Sequence, residues 1–120
     1  MSLSFLEKTL KIKQKGWQRR HPRFRADFPV RATVLQEQGY VEIEGRCGDL
    51  GRGGMGTVLT AEIAKGEVIS LTFALAATTL VVRSIVRYRK GFLHGLEFLG
   101  LSAEQLILID EFCKGLPPSG

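Results

Sequence analysis

The chain has 120 residues, 44% hydrophobic and 24% charged, which suits one core and one domain and argues against a disordered chain. No apolar run approaches the roughly 20 residues that cross a bilayer. The Met-Ser-Leu-Ser-Phe-Leu opening is too short for a signal peptide's apolar region, so the expected location is cytoplasmic. The net charge of +5 is unevenly spread: residues 8–25 carry eight Lys and Arg and no acid, which leaves the remainder at −3. A basic arm thus precedes a mildly acidic body.

Residues 2–15 have the pattern of a short helix, with Ser2 or Ser4 as cap and Leu3, Leu6 and Leu10 on one face. Gly16 ends it, and residues 16–27 read as an extended linker punctuated by Pro22. From Phe28 the period becomes two. Phe28, Val30, Ala32 and Val34 alternate with Pro29, Arg31, Thr33 and Leu35, as in a half-buried strand. Val41 and Ile43 alternate with Glu42 and Glu44 in the next strand. A Gly-rich turn is expected at 51–56, followed by a short strand through Thr57, Val58 and Leu59. Ile69, Leu71, Phe73 and Leu75 make another alternating set. Leu80, Val82, Val86 and Tyr88 face inward opposite Arg83, Arg87 and Arg89, and the chain returns through Phe92, Leu96 and Phe98. Short strands with Gly turns and no helical crossover predict a mainly β fold, an antiparallel barrel or sandwich. Ser102 caps a final helix whose stripe is Leu106, Ile109, Phe112 and Cys113, stopped by Gly115 and Pro117. That stripe is expected to cover one opening or side of the barrel.

Two segments carry chemistry. The first is Arg19-Arg20-His21-Pro22-Arg23-Phe24-Arg25 and the second is Asp49-Leu50-Gly51-Arg52-Gly53-Gly54. Arginine's planar fork donates paired hydrogen bonds to phosphate or to a guanine edge. A carboxylate accepts from guanine's ring N–H and amino groups, and glycines let the backbone approach a flat ligand. The combination suits a guanine nucleotide better than a bare phosphate.

On these residues the chain resembles the PilZ domains of bacteria. Arg19-x-x-x-Arg23 fits that family's arginine motif, and Asp49-x-Gly51-x-x-Gly54 fits its second motif except that glycine stands where the family has serine. The spacing, the Gly-Gly-Met-Gly turn, Gly95-Leu96-Glu97-Phe98 and the C-terminal helix extend the likeness over roughly residues 18–114. The resemblance implies a six-stranded antiparallel β-barrel with a C-terminal α-helix and a basic N-terminal arm, residues 1–17, with residues 115–120 as a tail. It also implies cyclic di-GMP as ligand. Arg19 and Arg23 would grip phosphates and guanine edges, Asp49 would hold a guanine, and Gly54 would permit the tight turn. Arg20 joins this set, with Arg25 and Arg52 as further contacts that could offset the hydroxyl missing at Gly51. Ligand binding would draw the arm onto the barrel and remake a surface read by a protein partner.

Two other functions stand beside this one. A nucleotide-blind adaptor would keep the barrel and contact only proteins, with Gly51 as its mark. A nucleic-acid-binding barrel accounts for the basic arm, but the strands offer no exposed aromatic platform for stacked bases, which disfavours it. No catalytic motif, P-loop or metal-ligand spacing is present, so neither an enzyme nor a cofactor is expected. Cys47 and Cys113 read as buried thiols, and His94 as a barrel-wall residue. Trp17 either anchors the arm or shields ligand; His21 either stacks on a base or is solvated. The assembly is read as monomer or homodimer.

Overall fold

Six strands and one helix organise residues 21–119, the part that this computed structural model describes. Strand β1 (Phe24–Gln36) turns Phe28, Val30, Ala32 and Val34 into the core. Strand β2 (Gly39–Gly51) contributes Ile43, Cys47 and Leu50, and β3 (Gly54–Leu59) contributes Met55 and Leu59. Every second residue of β4 (Val68–Leu75) is buried: Ile69, Leu71, Phe73 and Leu75. In β5 (Thr78–Lys90) Leu80, Val82, Ser84 and Val86 point inward, and β6 (Leu93–Leu99) adds His94, Leu96 and Phe98. The period-two patterns therefore mark one wall each, since alternate side chains of a strand face opposite sides.

The sheet closes in the order β1-β2-β3-β6-β5-β4, with every neighbouring pair antiparallel. Closure runs through β1 and β4, where Arg31 faces Thr72 and Thr33 faces Ser70. A closed sheet satisfies the ladder groups that an open edge would expose. The β4–β5 hairpin turns on Ala76 and Ala77, both at positive φ, 48° and 70°, a conformation that asparagine and glycine adopt at lower cost.

Helix α1 (Ala103–Cys113) starts with a full capping box. Ser102 Oγ accepts from the Gln105 N–H at 3.1 Å, and Gln105 Oε1 accepts from the Ser102 N–H at 3.0 Å. Such a box satisfies two otherwise orphaned donors. Ile109 and Cys113 are buried beneath the helix, and Phe112 meets Phe28 edge-on at 5.9 Å. Phe28 in turn stacks on Phe73 at 5.7 Å. Each such buried side chain contributes about 1.5–3 kcal/mol, so the helix is held by the core it covers.

The structure departs from the sequence reading at several places, among them Val41 and Phe92, which are exposed, the latter in the turn before β6. Phe24–Asp27, expected in the linker, already belong to β1, because Phe24 and Arg25 pair with Leu50 and Asp49. Gly54, expected to serve the tight turn, lies in β3 instead. A Cβ there would overlap the Leu96 carbonyl oxygen of β6, so glycine is needed for close approach between strands. The turn itself is Arg52-Gly53.

Candidate functional site

Asp49 stands between two irregularities of the ladder. The β1–β2 register shifts between Arg25 and Phe28, and the β2–β3 register shifts between Cys47 and Asp49. Bulges of this kind re-aim side chains locally. Here the Asp49 carboxylate comes to the mouth of the β2–β3 hairpin, where Oδ1 accepts from Arg23 Nη1 at 2.7 Å and from the Gly56 N–H at 2.7 Å. The Arg23 and Asp49 side chains retain only 11% and 17% of their exposure, so the charge-assisted bond is shielded from water more than a surface pair is. The two motifs, separated by 26 residues in sequence, thus meet in one ion pair.

The backbone ahead of Arg23 lies across the hairpin. A Cβ on Gly51 would overlap the Pro22 carbonyl oxygen, and one on Gly53 would come within 2.8 Å of the His21 ring. Only a residue without a side chain lets Pro22 sit so close over position 51. This gives the glycine at position 51 a positive role: it is the seat of the Pro22 carbonyl. Pro22, Phe24, Arg52, Asp110, Cys113 and Lys114 line an open cleft of about 330 Å³ beside that seat.

The remaining sequence-selected residues are dispersed. Arg52 pairs with Asp110 of α1 at 3.1 Å, which turns it toward the helix. Arg25 is exposed on β1, opposite Asp49 in the ladder. Arg19 and Arg20, with Trp17, lie outside the described residues. Arg87 and Arg89 pair with Glu97 and Glu62, so the outward face of β5 is less basic than its sequence suggests. His94 is fully buried: Nε2 accepts from the Ile63 N–H at 2.9 Å and Nδ1 lies 2.8 Å from the Phe92 carbonyl oxygen. Burial lowers its pKa, and the bond from Ile63 requires the neutral ring with its proton on Nδ1.

Cys47 and Cys113 are both buried free thiols. Burial pushes the Cys47 thiol far up and Cys113 up to about 11, which makes both poor nucleophiles. Cys47 Sγ donates to the Asp49 carbonyl at 3.1 Å and Cys113 Sγ to that of Leu50 at 3.6 Å. They brace the strand that carries the site. Among the described residues no group of three His, Cys, Asp or Glu is arranged to hold a metal, and no helix is long and apolar enough to cross a membrane.

Sequence reasoning missed one polar neighbour of Asp49. Ser119, 70 residues further on, brings its hydroxyl to within 3.5 Å of Oδ2. No local pattern marks that approach, because it is created by the path of the chain after α1.

A closed six-stranded antiparallel barrel of this strand order, with one C-terminal helix, is the architecture of a PilZ domain. The family model for the PilZ domain matches residues 18–115, and the chain belongs to that family. Solved structures agree on the fold. The PilZ domain of CeSA from a cellulose-synthesizing bacterium superposes with a TM-score of 0.61 at 16% identity, over 78% of this chain and 95% of that one. The PilZ domain of YcgR from Escherichia coli, solved with c-di-GMP, gives 0.63 at 19% identity, over 82% and 91%. The Bacillus subtilis inhibitor of motility MotI/DgrA gives 0.63 at 20% identity, over 82% of this chain and half of that one. A search of curated protein sequences found no match.

Proposed function

We propose that this chain is a receptor module for cyclic di-GMP, with Arg23 and Asp49 at the centre of the site. The meeting of the two motifs in a shielded ion pair carries this reading, and the fold shared with a PilZ domain solved with c-di-GMP supports it. Each partner of the pair is complementary to one part of the ligand. The Arg23 guanidinium matches a phosphate, and the Asp49 carboxylate matches the N–H edge of a guanine. Binding is then an exchange in which the nucleotide takes Arg23 from Asp49 and offers guanine donors to Asp49 in return. The exchange leaves neither charge unpaired, which keeps the desolvation cost low. Arg19 and Arg20, just ahead in the arm, would add phosphate contacts. Arg25 and Arg52 stand at the rim, and Arg52 must first leave Asp110.

The arm joins the site to the rest of the cell in this reading. A self-repelling basic segment becomes easier to lay on the barrel once a dianion neutralises it, and the surface so formed is offered to a protein partner. No catalytic step is required. Calorimetric titration with cyclic di-GMP, beside a GMP control, tests the reading. Saturable binding that Arg23→Ala weakens by roughly 10- to 150-fold is expected, the range of a lost charged hydrogen bond. A flat titration of the natural chain rejects it and favours the adaptor reading, for which the seating of Pro22 on Gly51 is the specific support.

A further inference from the structure

After α1 the chain does not leave the barrel. Leu116 closes the helix end through its N–H to the Cys113 carbonyl at 3.0 Å, and the next residues run antiparallel to the start of β1. Phe24 bridges Pro118, the Arg25 N–H donates to the Pro117 carbonyl at 2.8 Å, and the Ser119 N–H donates to the Arg23 carbonyl at 2.9 Å. The segment Leu116–Ser119 is therefore a strap, fixed by backbone bonds to the two residues that flank Phe24. One of these is Arg23.

The strap also delivers a side chain. Ser119 is half-buried, and its hydroxyl lies 3.5 Å from Asp49 Oδ2, while Arg23 and Gly56 share Oδ1. From Asp49 to Gly56 the hairpin sequence Asp-Leu-Gly-Arg-Gly-Gly-Met-Gly contains no hydroxyl of its own. Position 51 cannot gain one without meeting the Pro22 carbonyl. A hydroxyl is both donor and acceptor, so it can hold the carboxylate's second oxygen and accept from a ligand N–H in turn.

The geometry points to Ser119 as a further residue of the anion site: its hydroxyl, brought in by the strap, does the orienting work that the turn cannot do, and ligand binding is thereby coupled to the strap. This inference rests on the nucleotide reading above. It makes the segment after the helix part of the receptor surface, because any movement of Arg23 toward a phosphate pulls on the Ser119 and Arg25 hydrogen bonds.

The test is calorimetric titration of the full chain and three variants with cyclic di-GMP, with thermal unfolding of each. Ser119→Ala removes only the hydroxyl and is expected to weaken binding about 3- to 10-fold with the melting temperature nearly unchanged. Ser119→Thr keeps the hydroxyl and is expected to bind within about twofold of the natural chain. Ser119→Pro also removes the N–H that Arg23 accepts and is expected to cost at least about tenfold. A melting temperature held by Ser119→Ala separates the hydroxyl's role from a general loss of fold. Natural-chain binding with Ser119→Ala unchanged overturns the role of the Ser119 hydroxyl alone, whatever Ser119→Pro does. A natural chain that takes up no nucleotide overturns the receptor reading and the role of Ser119 with it.

Discussion

Two arginine–aspartate pairs tie β2 to the start of β1 and to the residue just ahead of it, and they teach different things. Arg23 reaches Asp49 at 2.7 Å and Arg46 reaches Asp27 at 2.8 Å, so geometry hardly separates them. Shielding does. The first pair is 11% and 17% exposed, whereas the second is 60% and 80% exposed. In water a surface pair gains little Coulomb energy after losing side-chain freedom, while a shielded pair cannot be broken without stranding a charge. Arg46–Asp27 therefore decorates the ladder. Arg23–Asp49 ties the residue ahead of β1 to the β2–β3 hairpin, where the same carboxylate oxygen takes the Gly56 N–H.

The sharpest way to break this comparison is to remove one acid from each pair. Asp49→Ala leaves Arg23 shielded and uncompensated and takes the acceptor from Gly56, so urea denaturation should show a loss of about 3 kcal/mol. Asp27→Ala should change stability by less than about 0.5 kcal/mol in the same experiment. Equal effects would mean that shielding is not what distinguishes the pairs.

A smaller effect is expected at Gly51, beneath the Pro22 carbonyl. Gly51→Ser restores the family's residue but forces the Pro22 carbonyl away, an overpacking cost of about 1–3 kcal/mol by the same denaturation. The arm then carries Arg23 off Asp49, so affinity for cyclic di-GMP should fall rather than rise. Gain of affinity in this variant would show that the seat yields without disturbing the pair.

The mildest test asks whether shielding matters for a neutral group too. His94 is buried with its pKa lowered by burial. The unfolded chain thus binds its proton more readily than the folded one does. The histidine's contribution is complete above the ordinary value of 6.5 and is lost as pH falls through it toward the depressed folded value. Urea midpoints recorded from pH 8 to pH 5 should decline in that window, and a flat profile would show that the Ile63 and Phe92 bonds yield without cost.

How much of this was legible in the sequence follows from the range of each interaction. Alternation in Ile69-Leu71-Phe73-Leu75 identified a wall of the barrel because strand burial repeats every two residues. The Ser102 cap was readable for a similar reason, since a cap acts within three residues, whereas the return bond from Gln105 was added by the structure. Asp49 and Arg23 were singled out through chemistry and through the order of two motifs, and the structure brings these two together. The role of Gly51 was only half visible. Sequence marked it as a missing hydroxyl, whereas its surroundings define a space that Pro22 fills.

By itself, then, the sequence determined the mainly β class, the closing helix, the family and the residue types capable of meeting an anion, because periodicity, caps and motif spacing are local properties. Tertiary structure alone decided the partners. Which acid takes Arg23, why Arg52 turns to Asp110, how β6 crowds Gly54 and how Ser119 comes to Asp49 all depend on bulges, barrel closure and the return of the chain after α1. Those contacts join residues far apart in sequence, and only the packing of the whole barrel brings them within hydrogen-bond reach.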